Sequence, residues 1–147
     1  MIHSANVYFP RLWNHDNLNE ATHKNLHHFL GGVSMRSMGW IMRCGQIEKV
    51  TTNGPSRENL VTPANLERLK GVPILFVAGA NNIVYTPDNT DTSYTTLCNV
   101  HGRKWYQREV FPSTGHLDTW MGTHSHRVVY PRIRHHVEEV MRMHPTE

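Results

Sequence analysis

Cysteine is scarce in this chain. Cys44 and Cys98 are the only two in 147 residues, and no C-x-x-C pair occurs. That usage suits a reducing compartment in which both are ordinary small apolar residues, although one disulfide between them stays open. Long apolar runs are also missing. None approaches the ~18 residues of a membrane-spanning helix, and a mean hydropathy of -0.53 excludes a membrane protein. The amino-terminal Met-Ile-His-Ser-Ala-Asn lacks the charged-then-apolar order of a signal peptide. These absences predict a cytoplasmic chain with no membrane partner. Internal repeats, low-complexity segments and a clear domain boundary are absent too. A chain of 147 residues suits one domain, able to bury about 70% of its unfolded surface.

The charge balance is mild. Fifteen Lys and Arg stand against 12 Asp and Glu, a formal +3, and 12 histidines raise it on acidification. Arg127, Arg132, Arg134 and Arg142 cluster near the carboxyl terminus. No aromatic-interleaved basic patch or nucleic-acid motif accompanies them, so they read as a solvated helix face and no nucleic-acid partner is expected.

The most informative stretch runs from Gly71 to Pro87. Its apolar run Ile74–Ala78, bounded by Pro73 and Gly79, reads as a strand buried on both faces, which belongs to a parallel sheet. A helix follows from Thr86 to His101, with Tyr94, Leu97, Cys98 and His101 on its apolar side and Gly102 as its stop. The second strand begins near Trp105. The unit is strand–helix–strand, with a right-handed crossover expected. Asn81 and Asn82 follow the first strand and His116 follows the second, at the carboxyl ends where chemistry collects in open α/β sheets.

Elsewhere the signals are weaker. Val7-Tyr-Phe-Pro10 reads as a short strand or an extended lead-in. Asn17 or Asn19 caps a helix running to about Leu30, with Gly31-Gly32 as its stop. His23 and His27 lie four apart on that helix, a spacing open to zinc. No third ligand stands at a recognisable spacing, so a polar surface face is the plainer account. Ser34 caps a second helix ending before Gly45, whose Met35, Met38, Ile41 and Met42 form an apolar stripe. Asn53-Gly54-Pro55 marks a hairpin or a loop. Pro63 opens a short helix through Leu69. Pro131 opens the last helix, with Ile133, Val137, Val140 and Met141 as its packing stripe.

The pattern of two strands with a polar loop after each resembles the last two strands of an α/β-hydrolase. More closely, the chain is similar to the carboxyl-terminal part of the hydrolase-like domain attached to cholesterol-oxidase-like flavoproteins. The matching stretches are His15–His23, Leu66–Leu69, Pro73–Pro87, Gly115–Asp118 and Val129–Pro131. The resemblance implies a partial α/β-hydrolase fold: two parallel strands with flanking helices, plus a cap-like helix pair that overlies the active site. One domain over 1–147 is expected, with the cap-like part in 1–60 and the strand–helix–strand–helix part in 61–147. It also implies His116 as general base and Asn81 at the position of the triad acid.

Catalysis of that kind needs a serine on a G-x-S-x-G turn and the chain order serine, acid, histidine. No Gly-x-Ser-x-Gly occurs in this sequence, and the oxyanion-hole segment is missing with it. An amide at the acid position cannot stabilise an imidazolium and favours the wrong tautomer, a change worth about 10⁴ in rate in a serine protease. Asp118, Asp88 and Asn82 are nearby alternatives. The expectation is a hydrolase-like chain that serves as a non-catalytic binding or oligomerisation module, with a small apolar ligand, and neither metal nor cofactor. The alternative is a part or subunit of a serine hydrolase in which His116 acts on a nucleophile supplied elsewhere. The apolar strand Ile74–Ala78, with no proline or charge to block its edge, predicts a homodimer.

Overall fold

The computed structural model describes residues 12–29 and 34–144. The lead-in expected at Val7–Pro10 and the glycine stop at Gly31-Gly32 lie outside them. The chain divides into two compact units, one of Met1–Lys24 with Pro73–Glu147 and one of Asn25–Val72. The architecture is mixed helix and strand, compatible with a partial α/β fold.

The first unit is built on the strand–helix–strand. Strand β1 is Ile74–Gly79 and β2 is Tyr106–Phe111. They pair in parallel, with Ile74 opposite Tyr106 and Gly79 opposite Phe111. Helix α4, Pro87–His101, makes the crossover, and its proline sits in the first turn where no intrahelical donor is needed. Gly102 then takes a φ of 81°, a left-handed conformation that glycine adopts without a Cβ penalty. Leu97 is the buried residue of α4, and Tyr94 meets Phe76 edge-on at 6.5 Å. Arg108 of β2 ties the start of α4 to the sheet. Its Nε donates to Thr90 Oγ1 at 3.1 Å and Nη2 to the Pro87 carbonyl at 2.9 Å, with Asp91 at 3.5 Å from Nη1.

Among the described residues the sheet has two strands. Ile74 to Val77 are only half-buried, whereas Ala78 and Gly79, near the candidate site, are buried. The core of this unit gathers Trp13, Leu18, Ala78, Leu97, Tyr106, Phe111 and Val129. Two short helices follow β2, α5 (Asp118–Met121) and α6 (Ser125–Val128), before the long α7 (Tyr130–Met143). In α7, Val137 and Met141 are exposed, so the expected packing stripe is only partly covered. Its arginines are engaged: Arg132 with Glu109 at 3.3 Å, Arg134 with Glu138 at 2.6 Å, and Arg142 Nε with the Glu138 carbonyl at 3.2 Å. Exposed pairs of this kind contribute little to stability.

Helix α1, Glu20–Phe29, runs from the first unit into the second. Asn19 caps it, its side chain accepting from Thr22 N at 2.8 Å. The second unit holds α2 (Met35–Gln46) and α3 (Pro63–Glu67). Helix α2 continues past Gly45, because the Ile47 amide still reaches the Arg43 carbonyl at 3.1 Å. Its Met35, Met38, Ile41 and Met42 are all exposed. The Asn53-Gly54 turn closes a short hairpin with one antiparallel bridge, Thr51 to Asn59. The Trp40 indole donates to the buried Thr51 carbonyl at 2.8 Å. Thr62 caps α3 by accepting from Asn65 N at 3.3 Å. Both cysteines are free thiols, and no helix among the described residues is long and apolar enough to cross a membrane.

Candidate functional site

The loops leaving the two strands are laced together. Ala80 N donates to Phe111 O at 2.8 Å and Asn81 N to Thr114 O at 2.9 Å. The approach is close enough to require glycine. A Cβ on Gly79 would run into the carbonyl oxygens of Gly115 and Thr114, and a Cβ on Gly115 would meet Asp118 Oδ1 at 2.6 Å. Parallel pairing and two glycines therefore bring the residues after β1 against His116.

The residue that reaches the imidazole is Asn82. Its Nδ2 lies 3.1 Å from His116 Nδ1. Its Oδ1 accepts from Val84 N at 3.1 Å and Tyr85 N at 3.0 Å, which bends the chain back and aims the amide at the histidine. Asn82 is buried, whereas Asn81 is exposed and is engaged through its backbone amide. The Tyr85 ring is tilted against the imidazole, with centroids 5.2 Å apart. Burial pushes the His116 pKa below its ordinary 6.5, and the nearby Asp118 charge opposes that shift. His116 Nε2 makes no hydrogen bond among the described residues.

Asp118 has another task. Its carboxylate is fully buried. Oδ1 accepts from Gly115 N at 2.7 Å and Asn14 N at 3.3 Å, and Oδ2 accepts from Asn17 Nδ2 at 2.6 Å. Asn17 Nδ2 also donates to Ser113 O at 2.5 Å, a carbonyl shared with Asn14 Nδ2 at 3.1 Å. Ser113 is held at a φ of 59°, an uncommon conformation for a residue with a Cβ. Residues 12–17 are thus clamped onto the loop that carries His116, with Leu117 N bonded to Leu12 O at 2.7 Å. Asp88 lies exposed in the first turn of α4.

Sequence reading placed His116 and offered both asparagines, but spacing alone does not say which of two adjacent side chains turns inward. The habit of asparagine to accept from the backbone two or three residues on is a signal present at Asn82. Asn14 and Asn17 as clamps were missed, since their partners lie about a hundred positions away. His23, read as half of an i,i+4 pair, instead has Nε2 at 3.2 Å from His15 Nδ1. Among the described residues no three His, Cys, Asp or Glu side chains gather as metal ligands. Comparison with known proteins adds no relative: no family model, curated protein or solved structure matches this chain.

Proposed function

We propose that this chain is a non-catalytic binding module on a hydrolase-like frame, holding a small apolar ligand at the strand ends and self-associating as a homodimer. The observation that carries this reading is the partner of His116: a carboxamide, Asn82 Nδ2 at 3.1 Å. In a serine hydrolase a carboxylate holds the imidazole and stabilises the imidazolium that forms. Here burial works against the charged imidazole. Asp118, the one buried carboxylate among the described residues, has its oxygens turned to Gly115, Asn14 and Asn17. The absence of a G-x-S-x-G turn agrees. Two free thiols and a chain without a membrane-spanning helix among the described residues fit a cytoplasmic setting.

Ester hydrolysis tests the non-catalytic half. The purified chain is expected to hydrolyse p-nitrophenyl esters no faster than His116→Ala, and to take no label from a fluorophosphonate. Robust hydrolysis with covalent labelling of a serine would replace this reading with that of a serine-hydrolase part in which His116 is the general base.

A further inference from the structure

We propose that Asn82 fixes His116 as its Nε2–H tautomer, so that the site presents a hydrogen-bond donor and takes an oxygen acceptor: the carbonyl or carboxylate of a small apolar molecule. The inference rests on the non-catalytic reading and names the chemistry of its ligand.

The orientation of the Asn82 amide is settled by its other bonds. Oδ1 accepts from two backbone amides, Val84 N at 3.1 Å and Tyr85 N at 3.0 Å. Turning the amide over would set an NH₂ group against two N–H donors and forfeit both bonds. The group at 3.1 Å from His116 Nδ1 is therefore an N–H donor, and Nδ1 must accept with its lone pair. A neutral imidazole that accepts at Nδ1 carries its proton on Nε2. The same contact opposes a second proton at Nδ1, in the direction of the depressed His116 pKa.

The consequence inverts the role that a strand-end histidine has in a hydrolase. Nε2, the atom that would take a serine proton, already holds one and can only donate. It makes no hydrogen bond among the described residues. The Tyr85 ring lies against the imidazole, at 5.2 Å between centroids, and Ile83 and Val84 of the same loop are exposed. A ligand suited to that setting brings an oxygen lone pair to Nε2–H and an apolar body to Tyr85. A donor held in this tautomer favours molecules that offer an acceptor over those that do not.

Nitrogen-15 NMR of the imidazole tests this. Near neutral pH, the His116 signal, assigned by its loss in His116→Gln, is expected to show Nδ1 unprotonated and Nε2 protonated. Asn82→Asp replaces the donor with an acceptor, so the proton should move to Nδ1 and the His116 pKa should rise. Butyrate and butyramide, titrated separately, distinguish a carboxylate from a neutral carbonyl. At least one should shift the His116 Nε2–H signal, with affinity at least tenfold weaker in Asn82→Asp when both are read at a pH above that variant's raised His116 pKa, where its neutral ring has no proton on Nε2. A wild-type histidine protonated at Nδ1 would overturn the tautomer assignment. The expected tautomer with neither probe acting on Nε2–H, or with both variants responding alike, would overturn the ligand class. Ester turnover is read separately, so failure of the non-catalytic reading shows in that assay and not in these spectra.

Discussion

Asp118 shows how one buried side chain can organise a site without touching its reactive group. A buried carboxylate is costly unless its oxygens are saturated with donors. Here three donors serve it: Gly115 N, Asn14 N and Asn17 Nδ2. Those bonds set the loop that carries His116 and pull residues 12–17 onto it. Asp118→Asn keeps the shape but turns an NH₂ toward one of these donors. At least one charge-assisted bond is lost and a donor is left facing a donor, so a loss of about 2–4 kcal/mol is expected in chemical denaturation. A change within about 0.5 kcal/mol, the range of an ordinary surface substitution, would remove the clamp argument. At this scale the sequence was legible for His116, whose place after a strand and a glycine is local information. It was not legible for the choice between Asn81 and Asn82, because a strand exit can turn either inward. That choice is made by the bonds of Asn82 Oδ1 to Val84 and Tyr85 and by the backbone bond of Asn81 to Thr114.

At the level of elements, α4 is held at its start by a side chain from the sheet. Arg108 is largely buried, with donors on Thr90 Oγ1 and on the Pro87 carbonyl in the first turn. Arg108→Ala removes both bonds and leaves the helix start without its link to β2. A loss of about 1–3 kcal/mol is expected, and hydrogen exchange should quicken first in the opening turns of α4. Uniform exchange along the helix would count against a local role. Proline, glycine and threonine punctuate this unit, and for that reason its strand–helix–strand order and helix limits could be read directly. Helices α5 and α6 could not, since four residues carry no periodicity. They depend on tertiary detail such as the Ser125 hydroxyl donating to Asp118 O at 2.7 Å. The stripes on α2 and α7 show the limit of the same method. Periodicity identified the helices, yet Met35, Met42, Val137 and Met141 are exposed, because a repeat of apolar residues does not supply the surface that covers it.

Among the described residues the molecule carries one parallel strand pair, on which its first unit depends. A two-stranded sheet is marginal in water and gains stability from packing or from further strands. Helix α4 covers part of it, through Leu97 and through Tyr94 on Phe76. Strand β1 has β2 as its single strand neighbour among the described residues, and Ile74 to Val77 remain half-exposed. No proline or charged residue interrupts Ile74–Ala78, which are the devices that normally protect an edge from pairing. Backbone groups left unsatisfied when such an edge is buried cost on the order of 1–3 kcal/mol each, which is large against a total stability of roughly 5–15 kcal/mol. A second copy of the chain can satisfy the edge and cover its apolar faces in one symmetric contact. Light scattering at micromolar concentration is expected to give a dimer or larger species. Hydrogen exchange at Ile74–Ala78 should become faster on dilution as the edge is released. A monomer across that range, with these amides protected at every concentration, would show that the edge is closed within one chain and would sink the dimer.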